Sequence, residues 1–249
     1  MSKIKNTLFL ICLFSLANCV LAGDVFKGEL VQNLSGSDFQ KQRLEMVENQ
    51  IKKRGINDGV ILETFLRVPR HRFVPEEIKH LAYSDHPLPI GEEQTISQPY
   101  IVAFMTQALH LSTRDKILEI GTGSGYQAAI LGELCDSVFT IEIIASLGNR
   151  AKLLLEELGY DNIKVKIGDG YQGWKEHAPF DAIIVTCAPT QVPTTLKNQL
   201  KEGGRMIIPV GSSYRQDLVL LRKVNNQLVE EKVLPVLFVP MVDPTGKKY

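Results

Sequence analysis

Three glycines at alternate positions, Gly121, Gly123 and Gly125, divide an apolar run, Lys116-Ile-Leu-Glu-Ile120, from a helical pattern beginning near Gln127. A buried strand that turns this sharply into a helix restricts the chain to the α/β folds, in which ligands meet the backbone at the carboxyl ends of strands. The missing Cβ atoms permit the turn and let a ligand lie directly against the loop. A dinucleotide-binding loop needs G-x-G-x-x-G, with a pyrophosphate on the helix N-terminus. Tyr126 stands at the sixth position, so that fingerprint is broken. A tight strand-to-helix connection without a ligand is the plain alternative, because such loops recur on many folds.

The next elements add weight to a ligand. Ser137-Val-Phe-Thr-Ile141 reads as a second strand ending at Glu142, which lies 23 residues after Glu119. An acid at that strand tip is placed to accept hydrogen bonds from ribose hydroxyls. Ile163-Lys-Val-Lys-Ile167 alternates as a third strand, followed by Gly168-Asp-Gly170, where Asp169 would suit an adenine amino group. Phe180-Asp-Ala-Ile-Ile-Val-Thr-Cys187 is a continuous apolar run of the kind found in central parallel strands. A short helix over 193–200, a strand over 205–210 and a hairpin turning at Asn225-Asn226 complete a mostly parallel sheet with an antiparallel edge.

Upstream, residues 38–54 read as an amphipathic helix, with Leu44, Val47 and Ile51 on one face and Gly55 as its stop. Asn57 or Asp58 caps a second helix carrying Val60, Ile61, Phe65 and Leu66. Arg67 to Pro75 is a basic loop punctuated by prolines, and a short helix follows around 76–80. Residues 87–91 read as irregular. Pro99 opens an apolar helix, with Ser97 as a candidate cap.

The chain has 249 residues, 28 basic and 28 acidic, so it carries no bulk positive charge for nucleic acid. Lys3 and Lys5 precede an apolar stretch from Thr7 to Leu16, and Val20-Leu-Ala22 offers a cut site. That is the pattern of a secretory leader, and the run is short for a membrane span of about 20 residues. The organisation expected is a leader over 1–22, a linker over 23–37 and a single domain over 38–249. The domain has a helical part (38–110) and a core with C-terminal strands (115–249). A periplasmic or envelope location follows if the leader acts, and a cytoplasmic one if it does not. Cys135 and Cys187 read as buried thiols, and the five scattered histidines show no metal-ligand spacing.

Glu119, then x-G-x-G-x-G, resembles the first motif of class I S-adenosylmethionine-dependent methyltransferases. Further marks narrow the resemblance to the protein-L-isoaspartate O-methyltransferase family: Arg67-Val-Pro-Arg-His-Arg-Phe-Val-Pro75, Leu88-Pro-Ile-Gly91, Gln94-Thr-Ile-Ser-Gln-Pro-Tyr100, Ala178-Pro-Phe-Asp-Ala-Ile-Ile-Val185 and Leu200-Lys-Glu-Gly-Gly-Arg205. The resemblance implies a Rossmann-like, mostly parallel sheet with N-terminal helices, S-adenosyl-L-methionine as cofactor, and isoaspartyl peptides and proteins as partners. It makes Ser97 the active-site serine, orienting a substrate carboxylate, and puts Thr95, Ile96 and Ser97 on the cofactor pocket. The cofactor residues expected in addition are Glu119, Gly121, Thr122, Gly123, Gly125, Glu142, Gly168, Asp169 and Gly170. Val239 and Pro240 resemble the strand that presents backbone to the peptide. No metal or nucleic acid is expected, and the working expectation is a monomer. A class I methyltransferase for another carboxylate or a small molecule, a nicotinamide-dependent oxidoreductase and a non-catalytic binder of abnormal polypeptides are the competing readings. The leader departs from the family's usual cytoplasmic setting, where the cofactor is made.

Overall fold

The computed structural model describes residues 38–249, so the leader and linker expected over 1–37 lie outside the described residues. The chain divides into two units, Met1–Leu44 and Glu45–Tyr249. Of the first, only the opening turns of helix α1 (Asp38–Met46) are described. The expected single helix over 38–54 is three segments. After α1 the hydrogen-bond register widens to a π turn at Val47–Ile51, then tightens to a 3₁₀ turn at Lys52–Arg54. Gly55, at φ 92°, ends it in the left-handed conformation.

Helix α2 (Gly59–Arg67) begins where Asp58 accepts hydrogen bonds from the backbone N–H groups of Val60 and Ile61, which have no partner inside the helix. Helix α3 (Pro99–Ala108) starts at its proline as expected. Its cap position is Gln98 and no side chain caps it, so Ser97 is not the N-cap. The stretch read as irregular is strand β1 (Leu88–Gly91), paired antiparallel with β2 (Gln94–Ile96). Two-residue hairpins are signalled by Asn-Gly or Asp-Gly, and this one turns on Glu92-Glu93, which hid it.

The core is a seven-stranded sheet of β3 (Lys116–Ile120), β4 (Ser137–Glu142), β5 (Ile163–Ile167), β6 (Phe180–Val185), β7 (Leu200–Ser212), β8 (Arg215–Val224) and β9 (Gln227–Val236), in the order β5-β4-β3-β6-β7-β8-β9. The first five in that order run parallel, and β8 and β9 are antiparallel. Helices α4 (Tyr126–Leu134), α5 (Ala145–Glu157) and α6 (Thr194–Gln199) connect the parallel strands.

Alternate residues of the central strands fill two cores. Leu118, Ile120, Ile183, Val185 and Met206 pack with Leu196 of α6 on one face. Ile117, Ala182, Ile184 and Ile207 pack with Met105, Leu109 and Leu131 on the other. Burial on both faces explains why these strands are apolar at nearly every position. Each buried Leu or Ile contributes roughly 1.5–3 kcal/mol over exposure. The chain moves outward from β3 to β5 and then returns to β6 on the other side of β3. That reversal opens a crevice beyond the carboxyl ends of β3 and β6. Among the described residues no helix is long and apolar enough to cross a membrane.

Candidate active site

Two cavities adjoin at this reversal. The larger, of about 380 Å³, lies over the ends of β3, β4 and β6. The smaller, of about 220 Å³, lies between Ser97 and residues 235–239. Thr95, Thr186 and Val239 wall both, so they mark the junction.

The glycine loop forms one wall of the larger cleft. Gly121 donates to the Ile141 carbonyl at 2.8 Å, which fixes the turn to β4. At Gly121 φ is 94°, and a Cβ there would meet the Thr186 hydroxyl oxygen at 2.4 Å. Only glycine fits this position without displacing a neighbour. Glu142 closes the cleft at the tip of β4. Its carboxylate accepts from the Gly123 N–H at 2.7 Å and from the Ile144 N–H at 3.0 Å, joining the loop to the start of α5. Burial pushes this carboxyl upward, and the backbone donors work against that.

Of the residues singled out from sequence, Thr95, Gly121, Gly123, Glu142, Gly170, Val239 and Pro240 wall the larger cleft. Ile96 and Ser97 do not. Along β2 the side chains alternate, so Thr95 faces the cleft and Ile96 turns into the core. Ser97 borders the smaller pocket, and both residues also line a 40 Å³ void beneath the loop with Thr122. Gly125 takes the left-handed cap of α4 at φ 88°, and Gly168 donates to the Glu142 carbonyl. Both stand behind the cleft.

Glu119 is also behind it. Its side chain is fully buried, accepting from the Thr140 hydroxyl at 2.6 Å, and the Thr122 and Thr140 hydroxyls are themselves 2.6 Å apart. Desolvation, opposed by the Thr140 hydrogen bond, raises its carboxyl to about 8. Asp169 is committed elsewhere in the chain. Its two oxygens accept from the Tyr171 N–H at 2.9 Å, the Tyr249 hydroxyl at 2.7 Å and the Gln172 amide at 3.3 Å. The Tyr249 ring stacks on Tyr171 at 4.0 Å. Segment 239–241 is held by a bond from the Ala188 N–H to the Val239 carbonyl and one from the Met241 N–H to the Ala188 carbonyl.

Sequence reasoning missed three participants. Thr186 caps β6 at the crevice and donates to the Ile120 and Gly121 carbonyls. Its place at the end of a central strand was the available signal. Arg70, read as part of a basic loop, is fully buried, and its guanidinium donates to the Ala82 carbonyl at 2.8 Å and the Ser97 carbonyl at 2.6 Å. It also lies over the Tyr126 ring, and burial lowers it to about 10. Tyr249, 80 residues from Asp169, carried no local signal.

A sheet of five parallel strands with an antiparallel C-terminal edge, an x-G-x-G-x-G loop after its first core strand and an acid at the tip of the second is the architecture of class I S-adenosylmethionine-dependent methyltransferases. The protein-L-isoaspartate(D-aspartate) O-methyltransferase family matches residues 41–246, and the chain belongs to that family. It is 54% identical over 211 residues to the protein-L-isoaspartate O-methyltransferase of Syntrophus aciditrophicus, covering 84% of this chain and 97% of that one. It is 55% identical over 199 residues to that of a Picosynechococcus species, covering 80% and 89%. Among solved structures, a protein-L-isoaspartate O-methyltransferase superposes with a TM-score of 0.75 at 33% identity, covering 82% of this chain and 67% of that one. A beta-aspartate methyltransferase from Plasmodium falciparum in complex with S-adenosyl-L-homocysteine gives 0.70 at 28%, covering 79% and 96%.

Proposed function

We infer that this chain moves a methyl group from S-adenosylmethionine to the free carboxylate of L-isoaspartyl, and D-aspartyl, residues in damaged proteins. The ester closes to a succinimide, which returns in part to aspartate. The observation that carries the reading onto these residues is the junction of the two cavities at Thr95, Thr186 and Val239, beside Ser97.

The larger cleft suits the cofactor. Its volume lies in the usual range for small-molecule sites, and Ile120, Ile141 and Ile144 give it apolar flanks beside the bare glycine loop. Gly121 and Gly123 would receive the amino-acid end and Glu142 the ribose hydroxyls. Gly170, at the adenine end, would leave room for the ring. Asp169 would accept from the adenine amino group only through lone pairs not engaged by Tyr171, Gln172 and Tyr249. Glu119, Thr122, Gly125 and Gly168 would shape the loop and its neighbours. Bound there, S-adenosylmethionine supplies an electrophilic methyl group on a sulfonium.

The protein's own work is positioning. The acceptor carboxylate is already ionised at neutral pH, so no general base is required. The Ser97 hydroxyl donates to that carboxylate and fixes its direction, and the Val239 and Pro240 backbone lines up the peptide. Holding the two groups in line at the junction, with water excluded, replaces a bimolecular encounter by a set geometry. Incubation with methyl-labelled cofactor and an isoaspartyl peptide beside its aspartyl twin tests this. Base-labile label on the isoaspartyl peptide alone is expected, and equal labelling of both would defeat the substrate assignment.

Residues 1–22 act as a secretory leader, and Met1 retained on the protein from its host would defeat that. The enzyme works as a monomer, and sedimentation at assay concentrations measures it.

A further inference from the structure

The β1–β2 hairpin turns on Glu92 at φ 53° and Glu93 at φ 57°, two consecutive residues in the left-handed region. A two-residue turn of this hand ordinarily takes Asn-Gly, because a Cβ strains it. Glutamate at both positions therefore costs stability that a glycine would restore. Strain of this kind clusters at ligand sites and motivates a functional reading.

The two residues differ in what their carboxylates do. Glu92 accepts from the Ser146 hydroxyl of α5 at 2.8 Å, and Arg150 of α5 donates to the Ile90 carbonyl at 3.0 Å. These contacts latch the hairpin to α5 and account for Glu92. Glu93 has no hydrogen bond or ion pair among the described residues, and it stands on the wall of the larger cleft. The other charged groups there are engaged. Glu142 holds two backbone N–H groups, and the Lys248 ammonium donates to the Ser213 hydroxyl at 3.1 Å. The latch holds the turn against α5, and Glu93 and Glu142 wall the same cleft.

We propose that Glu93 is a cofactor-binding residue, its carboxylate accepting a hydrogen bond from a donor that S-adenosylmethionine and S-adenosylhomocysteine share. The inference rests on the cofactor reading above. It explains why a strained glutamate occupies the turn beside the cleft: the side chain adds a wholly unengaged acceptor to the lone pairs that Glu142 has left.

The test is calorimetric binding of S-adenosylmethionine and S-adenosylhomocysteine to the purified full chain and to Glu93→Gly, Glu93→Ala and Glu93→Gln, with thermal unfolding of each. Glu93→Gly is expected to melt higher than wild type yet to bind both ligands about tenfold more weakly, the worth of one hydrogen bond to a charged acceptor. Glu93→Ala keeps the left-handed strain and should show the same loss of affinity without the gain in melting temperature. Glu93→Gln should fall between, and the KM for isoaspartyl peptide should stay unchanged throughout. Unchanged affinity for both ligands in Glu93→Gly overturns the proposal. A loss confined to S-adenosylmethionine also overturns it, because that would mark attraction to the sulfonium charge. Failure of the wild-type chain to bind either ligand would instead defeat the cofactor reading itself, and the proposal with it.

Discussion

The Thr140 hydroxyl and the Glu119 carboxyl, 2.6 Å apart in a fully buried position, form the inner end of a chain of hydroxyls that reaches the glycine loop at Thr122. One Glu119 oxygen is buried without a partner. An ionised carboxylate there would leave charge undispersed, and the neutral acid is the form this site tolerates. Folded, Glu119 keeps its proton up to about pH 8, whereas its ordinary value is 4.5.

That difference sets a direction for stability. The folded state holds the proton more tightly, so the stabilising contribution is complete below the ordinary carboxylate range. It declines as pH rises toward 8 and is lost above that. Urea unfolding across this window should show stability falling by the slope of one proton. Glu119→Gln, which keeps an uncharged side chain of the same length, should flatten it. A wild-type curve no steeper than the variant's would remove the neutral acid.

Ser97→Ala should lower kcat/KM for isoaspartyl peptide about 10- to 100-fold, the loss of one hydrogen bond to a charged acceptor. Ser97 borders the peptide-side pocket and not the larger cleft, so cofactor affinity should change little. Because no helix cap is lost either, melting temperature should hold. Titrating cofactor and peptide separately in steady-state assays checks the split. An unaltered kcat/KM would take Ser97 out of the reaction.

The sheet was readable because its signals are local. Strands β3 to β6 are short apolar or alternating runs, each bounded by turn residues, and the acids at their tips follow from the strand ends. What stayed hidden lies in pairings across sequence. Thr186 is one polar residue at the end of an apolar strand, and only the β3–β6 neighbour relation brings it onto Gly121. Asp169 looked available because its partner, Tyr249, lies 80 residues on. The β1–β2 hairpin lacks its usual turn residues, and in the basic loop over 67–75 nothing local sets Arg70 apart from Arg67, His71 and Arg72. A buried arginine is rare enough that composition argues against it, and only the two carbonyls it serves explain it.

Gly121→Ala should abolish activity and destabilise the fold by roughly 2–4 kcal/mol, combining left-handed strain with a clash that has little room to relax. The clash is with the Thr186 hydroxyl, itself hydrogen-bonded to the Ile120 and Gly121 carbonyls. Pairing Gly121→Ala with Thr186→Ala removes the obstructing oxygen and should recover part of the stability, while the strain remains. Chemical denaturation of the two single variants and the double variant measures the coupling, and strict additivity would show that the contact is not the cause.

Arg70 ties the substrate-side loop to the interior. Its guanidinium bridges the Ala82 and Ser97 carbonyls while lying 4.8 Å from the centre of the Tyr126 ring, at the first residue of α4. Removing it leaves two carbonyls without their donors, each worth about 1–3 kcal/mol when buried. Arg70→Met should therefore unfold several kcal/mol more easily. Arg70→Lys should lose less, since an ammonium can serve one carbonyl but not span both in a fixed fork. The functional consequence is separable. Ser97 loses its anchor in Arg70→Met and the fixed two-point brace in Arg70→Lys, so the folded fraction of Arg70→Lys should show reduced kcat with nearly unchanged cofactor KM. If the activity of Arg70→Lys, corrected for folded fraction, equals wild type, Arg70 supports the fold without positioning Ser97.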